Sequence, residues 1–344
     1  MPEVAAADAL APGGRRRQAG RAGLASGGAL LAALALAAAA GPALRGVDPR
    51  RQLDPAFAGH LAPGARVESI ELADGRTLAA ERIERDGDSL RLHGRVAELR
   101  VATAALAAPD PARAVRVERF PLGTDQFGRD LAARLLAGGR VSLTVALLAV
   151  GLALAVGVPI GLASGLAGPR TERAALGLIE AAQAFPRLFL LVALAAVTRP
   201  GWTPLVLLLG LTGWMPVARL VRAEVRSLAH RDFVLAARAA GVGPLRLALR
   251  HLLPNALAPV AVEGSLGAAS AIVAEATLSF LGLGLPPPVA SWGGMIADGR
   301  DALATAWWVS VFPGLALVVA ALAFNLIGEG LRDRFDPRAL RLEA

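Results

Sequence analysis

Six apolar segments, each long enough to cross a lipid bilayer, dominate this chain of 344 residues. A hydrocarbon core about 30 Å thick is crossed by roughly 20 apolar residues in a helix. Backbone polar groups in that core must be bonded within the segment, which a helix achieves. The sequence therefore predicts an all-α polytopic membrane protein with six transmembrane helices. They are Gly23–Leu44, Val141–Leu166, Ala174–Val197, Trp202–Val221, Pro259–Leu285 and Thr305–Gly328.

Arginines in the short loops predict the orientation of these helices. Arg15, Arg16, Arg17 and Arg21 precede the first helix and place the segment 1–22 in the cytoplasm. Six crossings then put the loop Gly168–Arg173, the loop 222–258 and the arginine-rich tail Leu331–Arg341 on the same side, so both termini are cytoplasmic. A cleavable signal peptide ending near "AAAAG" at Ala37–Gly41 is the alternative for the first helix.

Residues 45–119, called the insert, differ from the rest of the chain. Thirteen arginines and twelve acidic residues alternate there with apolar residues. The turn signals Asp74-Gly75 and Asp86-Gly87 separate alternating runs and predict short β-hairpins. With the N-terminus inside, the insert is extracytoplasmic. Docking surface and solvated spacer both remain open as its role.

Composition excludes several kinds of active site. The net charge is +8, but its 36 basic residues, all arginine, are scattered between apolar runs, which disfavours a nucleic-acid partner. A phosphate-binding P-loop needs a lysine, and the chain has none. Cysteine is absent, and the four histidines lie outside the spans without metal-binding spacing. We therefore predict no catalytic residue, no metal site and no cofactor bound by this chain.

Glycines recur at a spacing that favours close helix packing. Gly157, Gly161 and Gly165 lie four residues apart on one face of the second span. Gly264 and Ala268 repeat the spacing in the fifth. We interpret Ser164, beside Gly165, as part of the same packing surface.

Polar side chains inside spans are costly and therefore face protein or water. Glu180, Gln183 and Arg187 are spaced to share one face of the third span, Glu263 and Glu275 lie in the fifth, and Asn325 lies in the sixth. These six residues line either a passage for a polar solute or internal Arg–Glu pairs. Arg219 and Arg222, near the inner end of the fourth span, are expected to extend their charged groups toward water.

The segment Arg231–Asn255, called the elbow, is basic and lies between two spans. Asp232 is predicted to be the N-cap of a helix over Phe233–Ala240, followed by Gly241 in the left-handed position. Pro244 fits the first turn of a second helix, which Pro254 ends. The two helices either rest on anionic lipid or insert into the groove of a partner protein.

The elbow and several other motifs resemble one transporter family. "AARAAG" followed by "RHLLPN" is similar to the cytoplasmic coupling motif of ABC-importer permeases. The wider resemblance, over about residues 120–338, is to the second permease of the dipeptide/oligopeptide/nickel type. It rests on "PLGTDQFGRDLAARLLAGGRVSL", "AFPRLFLL", "GLTGWMPVARLVRAEV", "AEATLSFLGLG", "SWGGMI", "FPGLALVV" and "GEGLRDRFDPR".

The resemblance implies a type I ABC-importer permease fold and a set of partners. These are a second homologous permease, two ABC ATPase subunits that bind ATP and Mg, an extracytoplasmic solute-binding protein and membrane lipid, without nucleic acid. It also implies the residues that contact the ATPase, namely Asp232, Phe233, Ala236, Ala237, Arg238, Gly241, Pro244, Leu253, Pro254 and Asn255. Leu235 departs from the pattern, since the family usually has a glutamate there.

These observations predict a non-enzymatic permease subunit of an ATP-driven importer for peptides or similar small solutes, located in the bacterial inner membrane. Residues 120–344 form the permease core with five of the six spans, and the elbow couples it to the ATPase. The alternative is a membrane receptor or scaffold that senses an external ligand through the insert.

Overall fold

A computed structural model describes residues 12–94, 98–108 and 114–335 of the chain. Residues 1–11 of the predicted cytoplasmic segment and residues 336–341 of the arginine-rich tail lie outside these ranges. The described chain is mostly helical. Its helices are α1 Pro12–Arg45, α2 Pro55–Ala58, α3 Leu131–Leu166, α4 Pro169–Gln183, α5 Arg187–Val197, α6 Trp202–Ala229, α7 Asp232–Ala239, α8 Pro244–Leu247, α9 Leu253–Phe280, α10 Trp292–Asp298 and α11 Trp308–Phe335.

Five of these helical stretches are long and apolar enough to cross a membrane, and a bent pair raises the number to six. The predicted third span is the one that differs. It breaks into α4 and α5, which meet at an angle of 76° around Ala184–Pro186. Pro186 causes the break, because the residue before a proline is pushed out of helical geometry and proline has no amide to donate. Glu180, Gln183 and Arg187 therefore do not share one face of a straight helix, and that prediction was wrong.

The prediction that Pro254 ends a helix was also wrong. The helix that starts at Pro244 continues without interruption to Phe280. A π-helical turn at Ala248–Leu252 precedes Pro254, and the Leu253 amide bonds the Ala248 carbonyl five residues earlier. This wider turn comes directly before the residue that cannot donate a backbone hydrogen bond. The elbow is therefore continuous with α9.

The described residues divide into two compact units. The first comprises residues up to 34, 143–278 and from 318 onward. In it, α3 packs against α6 through the glycines expected from their spacing. A Cβ added at Gly157 would lie 2.7 Å from the Trp214 carbonyl oxygen. A Cβ added at Gly161 would lie 2.6 Å from the Val221 Cβ. A Cβ added at Gly165 would lie 2.6 Å from Val225 Cγ1. Only glycine permits this backbone approach, so the packing interpretation of the glycines is confirmed.

The second unit comprises residues 35–142 and 279–317 and contains the β-strands. The strands are β1 Ala65–Glu71, β2 Thr77–Ala80, β3 Arg82–Asp86, β4 Ser89–His93, β5 Glu98–Ala102 and β6 Arg116–Phe120. They form two antiparallel sheets of three strands, in the orders β2-β1-β6 and β3-β4-β5. Gly75 and Gly87 have positive φ in the hairpin turns, as the Asp-Gly signals predict. The insert is therefore β-rich.

Alternation along the strands builds the core of the insert. In β4, Leu90 and Leu92 point inward while Ser89, Arg91 and His93 remain partly exposed. The buried residues of the larger cluster are Ile70, Leu72, Leu78, Ala80, Leu90, Leu92, Val101, Leu106 and Ala114. Its apolar side chains thus face one another, and its charged side chains remain at the surface.

Candidate functional site: the elbow and a polar cavity

The first helix of the elbow, α7, begins one residue earlier than expected. Asp232 is its first helical residue, and Arg231 occupies the N-cap position without a side-chain cap hydrogen bond. The prediction of Asp232 as N-cap was therefore wrong. The Asp232 carboxylate still lies in the first turn, where the helix dipole favours a negative charge.

Gly241 ends α7 in the conformation that its position predicts. Its φ is +75°, in the left-handed region that favours glycine. The Gly241 amide donates to the Arg238 carbonyl at 3.0 Å, and the Val242 amide donates to the Ala237 carbonyl at 3.1 Å. These two bonds form a Schellman motif, which satisfies the last carbonyls of the helix and sets the direction of the next one. Pro244 then occupies the first turn of α8.

One side of the elbow is buried against the membrane helices of the first unit. Val234, Leu247 and Leu252 pack into a cluster with Val221 and Val225 of α6. Leu162 of α3 and Val260 of α9 complete it. Because Val234 and Leu252 are fully buried, the elbow is anchored through both of its helical parts.

The opposite side of the elbow is exposed and apolar with basic residues around it. Phe233, Leu235, Leu245 and Leu249 are exposed to 42, 49, 72 and 53%. Leu245, Arg246, Leu249 and Arg250 line an open depression together with Gly243 and Pro244.

The predicted ATPase contacts are distributed around this exposed side. Asp232, Phe233, Ala236, Arg238, Gly241, Pro244, Pro254 and Asn255 are exposed, whereas Ala237 and Leu253 are half-buried. The Asn255 side-chain amide donates to the His251 carbonyl at 2.6 Å. Leu235 leaves an apolar group on this surface where the family motif has a carboxylate.

An ion-pair cluster beside the elbow was missed by the sequence analysis. Arg222 and Arg226, near the end of α6, both donate to the Glu172 carboxylate in the first turn of α4. The expectation that Arg222 only extends toward water was therefore wrong. Arg222 and Arg226 are four residues apart on one helix face, but their partner is about fifty residues away in sequence, so spacing alone does not reveal it.

A cavity of about 340 Å³ lies between α3, α5, α6 and α9 of the first unit. Its wall is mainly apolar, and it is called the polar cavity for the few charged and hydroxyl side chains that line it. Arg187 and Glu263 both line it, together with Ser270, Gly213, Gly264 and Gly267. Arg187 Nη1 donates to Ser270 Oγ at 3.1 Å, and Arg187 Nη2 donates to the Leu209 carbonyl at 3.5 Å. A second cavity, of about 320 Å³, is lined by Gln183 and again by Arg187. Ser270 was not singled out from the sequence.

The remaining pathway candidates lie apart from these cavities. Glu180 and Asn325 are exposed, and Glu275 is fully buried. None of these three lines either cavity. Of the six candidates, Arg187 lines both cavities, with Glu263 in the first and Gln183 in the second.

Known proteins similar to this chain include two transport permeases and one solved transporter chain. A protein of Brucella abortus named as a peptide transport system permease protein is 46% identical over 222 residues, which is 64% of this chain and 74% of the relative. The di/tripeptide transport system permease protein DppC of Pseudomonas aeruginosa is 43% identical over 220 residues, 64% of this chain and 73% of that protein. Among solved structures, an inward-facing MetNI methionine ABC transporter chain is similar at 17% identity and a TM-score of 0.47, covering 57% of this chain and 93% of that chain.

The family model for binding-protein-dependent transport system inner membrane components matches residues 157–341, just over half of the chain. The match includes the elbow, the helices α4–α11 and the cavity wall from Arg187 onward, whereas the α3 residues of that wall, Ala149, Val150, Ala153 and Leu154, precede it. It also agrees with the expectation of a non-enzymatic membrane component in a transporter whose ATPase is a separate subunit. The chain therefore belongs to the family of binding-protein-dependent transport system inner membrane components.

Proposed function

We propose that this permease forms half of the translocation pathway of an importer for peptides or similar small solutes. Relatives that share 43–46% of the aligned residues are named for peptide and di/tripeptide transport. The energy comes from ATP, which a separate ATPase binds together with Mg. The elbow contacts this ATPase. When ATP closes the ATPase pair, the elbow moves with it, and the spans alternate between inward and outward opening.

The proposed assembly contains a second homologous permease, two ATPase subunits and an extracytoplasmic solute-binding protein within membrane lipid. The bent pair α4–α5 serves as one of six crossings. Both termini and the elbow lie in the cytoplasm, and the insert lies outside. The arginines of the loop 168–173 and of the elbow support this orientation.

The elbow carries this proposal. Its inner side is anchored by Val234, Leu247 and Leu252, while its outer side exposes Leu245 and Leu249. A helix pair that only rests on lipid needs no left-handed glycine between its parts. A fixed turn with an apolar and basic outer side fits the groove of a partner protein instead.

The chain has no cysteine, so single introduced cysteines test the elbow without background. We expect Leu249→Cys, carrying a maleimide–diazirine crosslinker, to crosslink to the co-expressed ATPase subunit. Membrane-impermeant maleimide should label Leu249→Cys in inverted vesicles and not in spheroplasts.

Leu99→Cys in the insert is the matched control, because Leu99 is an exposed leucine with 39% accessibility. It should label from the outside and give no ATPase crosslink. Labelling of Leu249→Cys from the outside, or its failure to contact any ATPase, would refute the coupling role.

A further inference from the structure

The polar cavity lies well inside the apolar lengths of the helices that form it. Gly213 lies eleven residues after Trp202, the start of α6. At 1.5 Å per residue this is about 16 Å, roughly half of a hydrocarbon core. Leu154, on the cavity wall, has a similar position in the apolar run of α3. The cavity is therefore deeper than the headgroup region.

The charged residues of the cavity indicate whether its surface faces lipid, water or protein. Arg187, Glu263 and Ser270 are all at least partly exposed. Charged groups at this depth that faced lipid would cost about 2.5–3.5 kcal/mol each on insertion scales. This surface therefore faces water or protein rather than lipid.

Arg187 retains hydrogen-bonding capacity in this cavity. Its guanidinium has five N–H donors, and its hydrogen-bond partners in the described part of the chain are one hydroxyl and one carbonyl, both neutral. Within the described part of the chain it forms no ion pair, and its Nε has no hydrogen-bond partner. A fork of this kind matches a carboxylate better than any other small anionic group in a peptide.

The walls of the cavity leave room beside the guanidinium. Gly213, Gly264 and Gly267 line it without side chains. A Cβ added at Gly213 would lie 3.6 Å from Arg187 Nη2, and one at Gly267 would lie 3.6 Å from Val150 Cγ2. Ser270 Oγ accepts a hydrogen bond from Arg187 and so holds the guanidinium against α9.

We propose that Arg187 is a transient binding site for the carboxylate of the transported solute, and that Glu263 binds the ammonium group of the solute in the same cavity. The solutes of this permease are accordingly small zwitterions with a free carboxylate, such as unblocked short peptides. This inference rests on the proposed function and adds the chemical class of the solute.

Charged thiol reagents test the site without knowledge of the solute. Gly267→Cys places a thiol in the cavity of the assembled importer, with ordinary van der Waals space around it. We expect anionic sulfonatoethyl methanethiosulfonate to react faster than the cationic trimethylammonium reagent, relative to free cysteine, by roughly fivefold. Arg187→Gln should abolish this preference, and Glu263→Gln should increase it. A thiol that reacts with neither reagent, or a preference unchanged by Arg187→Gln, would overturn the proposal.

Uptake then tests the solute class in vesicles that contain the complete importer. We expect Arg187→Gln to lower uptake of alanyl-alanine by roughly tenfold, and wild type to prefer alanyl-alanine over its C-terminal amide. Arg199→Gln, in an exposed loop, is the matched control. Equal uptake by wild type and Arg187→Gln would contradict the role of Arg187. Absence of ATP-driven uptake by wild type would instead count against peptides as the proposed solute, and the thiol assay would still decide on Arg187.

Discussion

The elbow and the insert both carry several arginines, but they use their charges and apolar residues differently. In the insert, Arg91 and Arg100 both pair with Asp86, at 2.7 and 3.3 Å. Leu90 and Leu92 of β4 face inward, whereas Leu99 of β5 is exposed. In the elbow, leucines are found on both sides, and Leu245 and Leu249 are exposed.

This difference indicates which of the two regions presents a surface for a partner protein. The insert pairs charges across neighbouring strands and buries a set of apolar side chains in its own core, with Leu99 and Val117 left exposed. The elbow satisfies its backbone at Gly241 but leaves an apolar and basic surface open. Exposed apolar surface rimmed by charge is typical of a protein-binding site. We therefore propose that the elbow is a docking surface and that the insert is a spacer.

The largest effect is expected from Gly241→Asp. Any side chain at this φ of +75° is strained by about 1–2 kcal/mol, and the new carboxylate lies on the docking surface. Transport should fall by roughly tenfold or more while membrane insertion is retained. The measurement is ATP-driven uptake normalised to the amount of protein in the membrane.

Gly46→Asp is the matched control for this prediction. Gly46 also has a positive φ, +64°, with open space around its Cα, but it lies at the start of the insert. The substitution therefore introduces similar backbone strain outside the elbow. Equal loss of transport in the two variants would mean that strain, rather than the elbow surface, explains the effect.

A smaller effect is expected when residues 65–119 of the insert are replaced by a short Gly/Ser linker. The Gly64 amide donates to the Phe120 carbonyl at 2.9 Å, so the two ends are adjacent and a short linker closes the gap. Uptake should change by less than roughly threefold, because the exchange leaves the elbow and the helices of the first unit unchanged. Val67 and Ala79 of the exchanged segment pack with Leu53, Ala58, Leu61 and Phe120, which remain, so membrane insertion is measured alongside uptake. Complete loss of activity, with the protein still inserted, would favour a receptor that senses its ligand through the insert.

The smallest effect concerns the pH dependence of the charge network on the insert. The hydrogen bond from Arg91 lowers the pKa of Asp86 below its ordinary value, and the charge of Arg100 acts in the same direction. The stabilisation is present above the ordinary carboxyl pKa of about 4 and is lost as pH falls through the lowered value.

Arg91→Gln should therefore shift the Asp86 titration upward, as measured by carbon NMR of labelled aspartate in the full-length protein. Arg82→Gln is the control, because Arg82 pairs with Glu84 and not with Asp86. An Asp86 titration that is the same in wild type and Arg91→Gln would contradict the interaction between Arg91 and Asp86.

Local signals in the sequence predict much of this molecule. Length and hydropathy predict the long helices, the Asp-Gly pairs predict the hairpins, and Gly241 predicts the left-handed turn. The spacing of Gly157, Gly161 and Gly165 predicts a close helix contact, although not that α6 is the partner. Each of these features depends on residues within one continuous segment of the chain.

The features that were missed depend on competition between local signals or on distant partners. Pro186 breaks a run that hydropathy alone treats as one span, whereas Pro254 is accommodated by the π turn before it. The ion pairs of Arg222 and Arg226 with Glu172, and the meeting of Arg187 with Ser270, join residues far apart in sequence. No periodicity in a single segment contains that information.

The absence of a helix end at Pro254 has a mechanical consequence. Arg246, on the exposed part of the elbow, and Glu263, on the cavity wall, belong to the same uninterrupted rod of 37 residues. They are separated by about 25 Å along its axis. Force applied to the elbow is thus transmitted toward the cavity along one continuous helix, in which the π turn at Ala248–Leu252 and the prolines Pro254 and Pro259 are the places where it can bend.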